Sequence, residues 1–149
     1  MPYANINNRK EDRAMTAVLS TKKIVFTCGI KPVWDVVTSL TDYGWRSDIS
    51  RIEILSDKQF IEYTKEGYAT TFTITVTEPY KRWEFDMENG NMEGHWTGVF
   101  AEKDSRGEMT MTETVTAKKW FMKPFVKGYL NKQQERYAAD LQKALSESS

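Results

Sequence analysis

In "GEMTMTETVTA", residues 107 to 117, side chains alternate with a period of two. Met109, Met111, Glu113, Val115 and Ala117 share one side, and Glu108, Thr110, Thr112, Thr114 and Thr116 the other. On a strand whose apolar side faces the interior, Glu113 is a carboxyl group among methionines and valine. Left charged and unpaired there, it would cost on the order of several kcal/mol in lost hydration. It therefore needs a partner, a water molecule or a proton, and each of these makes it a candidate for chemistry.

The other reactive side chains offer less. A single histidine, His95, rules out a multi-histidine metal site, and a single cysteine, Cys28, rules out a cysteine cluster. A Cys28–His95 nucleophilic pair exists on paper only, because Cys28 stands at a strand end before Gly29 and reads as a small packing residue. Gly90, Gly94 and Gly98 recur at a spacing of four, which fits neither nucleotide-binding glycine pattern. No metal or other cofactor is expected.

Lysine plus arginine number 21 and aspartate plus glutamate 21, so no bulk attraction for nucleic acid is expected. The basic side chains of the last segment, Lys118 to Lys143, read as the solvated face of a helix, with phosphate binding the lesser option. No apolar run is long enough to span a bilayer, so no stable membrane insertion is expected. The lone cysteine and the lack of a basic-then-apolar start point to a reducing, cytoplasmic setting. Aromatic residues make up 13% of the chain, enough to line an interior space or simply to fill a core.

The elements that would hold Glu113 in place follow from the patterning. Residues 1 to 16 are polar, turn-rich and aperiodic, and read as a flexible arm; residues 17 to 146 read as one domain. "AVLSTKKIVFTC" is a strand that stops at Gly29. "KPVWDVVTSL" gives about three turns of helix beginning near Pro32, and "TDYGW" offers Thr41 or Asp42 as the cap of a second short helix. Six strand-like segments follow, separated by "DK", "EG", "PY", "NG" and "SRG", connections so short that neighbours must pair antiparallel. Over residues 121 to 146, Val126, Leu130, Gln133, Tyr137, Leu141 and Leu145 recur at helical spacing and form the cover of the sheet.

This order of elements, together with "IKPVWDVVTSLTDYGWRSDISRIEIL" and "HWTGVFAEKDSRGEMTMTETV", resembles the SRPBCC superfamily, also called START or Bet v 1-like, and within it the polyketide cyclase/dehydrase branch. The resemblance covers residues 17 to 146, and none of its motifs is a catalytic signature. It implies an α+β helix-grip fold: a curved seven-stranded antiparallel sheet around a long C-terminal helix, two short helices after the first strand, and a hydrophobic cavity between sheet and helix. Trp34 and Trp45 are then read mainly as packing.

Phe72, Ile74, Phe85 and Met111 are expected to line that cavity, with Trp96 and Phe100 pointing inward beside Gly94 and Gly98. In this register His95 faces out; the opposite register, reached through a bulge, would put His95, Thr97 and Val99 inside. Phe125 and Tyr129, on one helix face, form either a hydrophobic staple or a gate at the mouth. Glu113 is then a carboxylate satisfied by a neighbouring Arg, Tyr or Trp, a polar anchor for a ligand, or a general acid or base with a raised pKa. The function expected is binding or transport of a small hydrophobic ligand. The alternative is a cyclase- or dehydratase-like enzyme using Glu113, and a third option is an interaction domain using the basic helix on a protein or membrane surface.

Overall fold

The computed structural model describes residues 17 to 147; the arm expected over residues 1 to 16 lies outside the described residues. Strand β1 (Val18–Val25) is followed by helix α1 (Ile30–Thr38). Then come β2 (Ile49–Ile54), β3 (Gln59–Thr64), β4 (Ala69–Glu78), β5 (Arg82–Glu88), β6 (Met92–Lys103) and β7 (Arg106–Ala117). A short 3-10 turn (Trp120–Met122) leads into helix α2 (Lys123–Glu147). The strands form one seven-stranded antiparallel sheet in the order β1-β7-β6-β5-β4-β3-β2. The sheet and the long helix are those expected of a helix grip.

Only one helix follows β1, where two were expected. Residues 39 to 48 are turns and bends instead. Ser39 Oγ accepts the Asp42 N–H at 3.0 Å, and Tyr43 O accepts the Arg46 N–H at 3.0 Å. Asp140 on α2 then takes both the backbone N–H and the hydroxyl of Ser47, at 2.9 and 2.7 Å. With those groups satisfied partly by turns within the segment and partly by α2, a second helix has nothing to add. Helix α1 is itself capped across space: the Ile30 N–H donates to Glu102 Oε1 of β6 at 2.9 Å. It buries Val33, Trp34 and Val37. Trp34 packs edge-on against Phe100 with ring centroids 4.9 Å apart, which is the packing role expected of it.

The concave face of the sheet carries a ladder of aromatic rings. Phe85 and Trp96, opposite each other on β5 and β6, stack at 4.8 Å, and Phe60 and Phe72 stack at 5.0 Å across β3 and β4. Trp96 lies over Gly98, where a Cβ would collide with the indole ring, so the glycine makes room for an inward tryptophan. Helix α2 lays Leu130, Ala138, Leu141 and Leu145 into this face. No helix among the described residues is long and apolar enough to cross a membrane.

Candidate functional site

Strand β7 places Glu113 between Ser20 of β1 and Trp96 of β6, all three on the concave side. Ser20 ties the sheet to the helix above: its hydroxyl is 2.8 Å from Gln134 Oε1, and Gln134 Nε2 donates to Ser20 O at 3.0 Å. Glu113 thus sits under α2 beside a polar strut, and it forms part of the wall of a partly open cavity of about 150 Å³. Phe60, Phe72, Trp83, Phe85 and Trp96 also border this space.

Facing Glu113 is a cluster that sequence patterning did not bring out. Arg46 is bidentate toward two carboxylates. Its Nε and Nη2 donate to the two oxygens of Asp48 at 3.0 Å each, and its Nη1 and Nη2 donate to Glu62 at 3.2 Å each. The guanidinium also lies 5.2 Å from the ring centroid of Tyr137 and 5.8 Å from that of Trp45. Trp45 packs edge-on against Tyr137, and its buried Nε1–H has no hydrogen-bond partner. All five side chains border the cavity.

The electrostatics follow from this arrangement. Burial disfavours the charged form of Arg46, but Glu62 and Asp48 outweigh it and hold the guanidinium charged above its ordinary range. Burial likewise pushes Asp48 up, and the hydrogen bonds and charge of Arg46 bring it below the usual carboxylate range. Glu113 goes the other way. Burial pushes its pKa from 4.5 to about 7, and neither the charge of Arg46 nor the Gln134 side chain undoes that, while Glu62 adds repulsion. Arg46 makes its hydrogen bonds to Asp48 and Glu62, so its charge offsets only part of the burial cost at Glu113. Burial also raises the Tyr137 phenol, which stays neutral. The wall therefore offers a carboxylic acid that can donate or accept a proton near neutral pH, beside the Arg46 guanidinium and the two carboxylates it binds.

Of the residues expected to line the cavity, Phe72, Phe85, Trp96, Glu113 and Tyr129 do so. Ile74 does not. It stands opposite Phe85 next to a bulge in β4 and packs half-buried against the core. Met111 is fully buried and also does not reach the cavity. Phe125 lies outside it, strongly exposed on a second, outer groove of about 460 Å³ bordered by Tyr68, Met122, Phe125 and Val126. Asp48, Thr64, Thr70, Met92, Tyr129 and Gln133 border both spaces, so the inner cavity and the groove adjoin.

His95 is on the convex side, where Nδ1 is 2.6 Å from Asp86 and Nε2 is 2.7 Å from Glu84. Burial opposes its charge, but the hydrogen bonds to Asp86 and Glu84 raise its pKa above the ordinary value. It takes no part in the cavity. Cys28 is unpaired and half-buried. Among the described residues, no group of His, Cys, Asp or Glu side chains is arranged to hold a metal ion.

No family model matches the chain, and no curated protein matches it in sequence. Solved structures match it closely in shape. A START superfamily protein from Mycobacterium smegmatis superposes with a TM-score of 0.76 at 14% identity, over 88% of this chain and 99% of that one. The ZhuI aromatase/cyclase from Streptomyces sp. R1128 gives 0.74 at 10% identity, over 86% and 93%. The di-domain aromatase/cyclase BexL of the BE-7585A biosynthetic pathway gives 0.74 at 9% identity, over 87% of this chain and 46% of that one.

Proposed function

For a chain with the START-like helix-grip fold that aromatase/cyclases share, we propose a cytoplasmic carrier or receptor of a small, lipid-like molecule that is mostly apolar and bears one carbonyl or hydroxyl group. The observation that carries this reading is Glu113, a proton-holding acid in the wall of an aromatic-floored cavity. An inner space of about 150 Å³ accepts one aromatic ring or a short chain. The remainder of the ligand extends past Tyr129 and Met92 into the outer groove, bringing the total toward the several hundred Å³ typical of ligand pockets. Apolar contact with Phe60, Phe72, Phe85 and Trp96 supplies affinity, and the acid of Glu113 fixes orientation by donating to a carbonyl or accepting from a hydroxyl.

Native mass spectrometry of the purified chain should find a co-purifying apolar compound. Its affinity should drop about tenfold in Glu113→Leu measured near pH 6, where the parent side chain holds its proton and the variant can neither donate nor accept. An unligandable cavity, or equal affinity in the two proteins across pH, would remove the reading.

One observation favours catalysis as a second reading: a carboxyl with a pKa of about 7 is suited to both donating and accepting a proton at neutral pH. In a cyclase- or dehydratase-like reaction Glu113 would move the proton while the cavity folds a reactive carbonyl chain. Turnover of such a compound, lost in Glu113→Gln and bell-shaped in pH in the parent, would promote it.

A further inference from the structure

Exposed large apolar side chains are scattered singly over most of the surface, but four of them, Trp120, Phe121, Phe125 and Tyr129, fall within ten residues at the start of α2. Trp120 is 79% and Phe125 73% exposed. The 3-10 turn Trp120–Met122 buries none of its residues, and Trp120 and Phe121 brace each other edge-to-face at 6.0 Å. The result is a protruding aromatic wedge. Tyr68, also exposed, stands on the opposite lip of the outer groove.

Lysines are interleaved with these rings. Lys118 is paired with Glu88 at 2.9 Å, but the others keep their charge uncompensated. Lys119 donates to the neutral Asn91 Oδ1 at 3.2 Å, Lys127 donates to the Leu19 carbonyl at 2.6 Å, and Lys123 has no acidic partner among the described residues. Arg136 adds a cation at the groove, whose acids are Glu66 and Asp48, the latter paired with Arg46. We infer that residues 118 to 129 form a docking surface for an anionic lipid bilayer: Trp120, Phe121 and Phe125 enter the interfacial layer, and Lys119, Lys123 and Lys127 meet lipid phosphates.

Charge complementarity selects this occupant. Aromatic rings with an apolar body favour the headgroup region, and lysines beside them add attraction to anionic lipid. None of the residues of the turn Trp120–Met122 is buried, so its rings are free to enter a deformable lipid layer. Because Met122, Phe125 and Tyr129 of the same segment line the groove, docking would bring the groove against the phase in which apolar molecules are dissolved. The contact is reversible and peripheral, in keeping with the absence of a spanning helix among the described residues.

Flotation of the full chain with vesicles of phosphatidylcholine containing about one-third phosphatidylglycerol tests it. The parent should float with the vesicles at low salt and fall away in about 0.5 M sodium chloride. Lys119→Glu and Lys123→Glu should each lower partitioning roughly fivefold or more. The pair Trp120→Ser with Phe121→Ser should lower it by about tenfold or more, with the melting temperature unchanged because both side chains are exposed. Binding of an apolar fluorescent probe to the cavity, measured on the same variants without vesicles, should stay as in the parent, so failure of docking and failure of the ligand reading are separable. No flotation of the parent, equal flotation of all the variants, or capture of an acidic protein in place of vesicles would overturn the inference.

Discussion

Glu113 is a buried acid near the Arg46–Asp48–Glu62 cluster but not bonded to it, and its pKa carries a stability consequence that can be measured. The folded protein holds this proton more tightly than the unfolded chain, so the associated stabilisation is complete below pH 4.5 and is lost as pH rises through about 7. Glu113→Gln should therefore match the parent in denaturant midpoint near pH 4. It should be the more stable protein above pH 8, by up to about 3 kcal/mol. Arg46 presents the opposite case. Arg46→Ala leaves Asp48 and Glu62 half-buried without a counter-charge, and should cost about 3 to 5 kcal/mol in urea unfolding. Lys in its place cannot face both carboxylates in bidentate fashion and should recover only part of that. The same two residues mark what the sequence discloses. Glu113 is legible because one acid interrupts a row of methionines at period two. Glu62 carries the same signal, two residues after Phe60 in "QFIEYT", and could have been found that way. Arg46 has no such signal, since it lies in aperiodic turns and gains its role only when β3 and α2 close over it.

Strand patterning leaves the register of β6 open between two alternatives, and the structure decides it. A glycine beneath an inward Trp96 leaves His95 outside, where the structure has it. The second short helix was not to be had from patterning, because Asp140, nearly a hundred residues away, supplies the hydrogen bonds that a helical turn would otherwise make. The bulge beside Ile74 is equally silent in the sequence "TFTITV", whose alternation continues straight through it. Two glycines give contrasting expectations. Gly128 lies in the first turns of α2 with open space around it, so Gly128→Ala should stabilise the helix by about 0.5 to 1 kcal/mol. Gly98→Ala should destabilise by about 1 to 3 kcal/mol, because the rigid indole cannot move aside cheaply. Thermal melts of the two variants, shifting in opposite directions, check both.

For the molecule as a whole, the shifted groups set a window of stability against pH. Asp48 and Glu84 are held below their ordinary values, Asp48 by Arg46 against burial and Glu84 chiefly by its hydrogen bond to His95. Their contributions are present above the ordinary carboxylate range and lost as the solution is acidified through their lowered values. Glu113 and His95 are raised, so theirs vanish as the solution turns alkaline. Midpoints of unfolding should peak on the mildly acidic side of neutrality and decline in both directions, which a denaturation series in graded buffers would trace. Met92 and Tyr129 stand on the divider that the inner cavity and the outer groove have in common. The two spaces adjoin there, so the length of guest they can take together depends on the bulk of the residues at that border. Shortening that divider, as in Met92→Ala, should merge the two compartments and move preference toward longer guests while the β-scaffold stays where it is, an outcome readable from a homologous series of alkyl probes. Selectivity in such a protein would be tuned by trimming a single thioether.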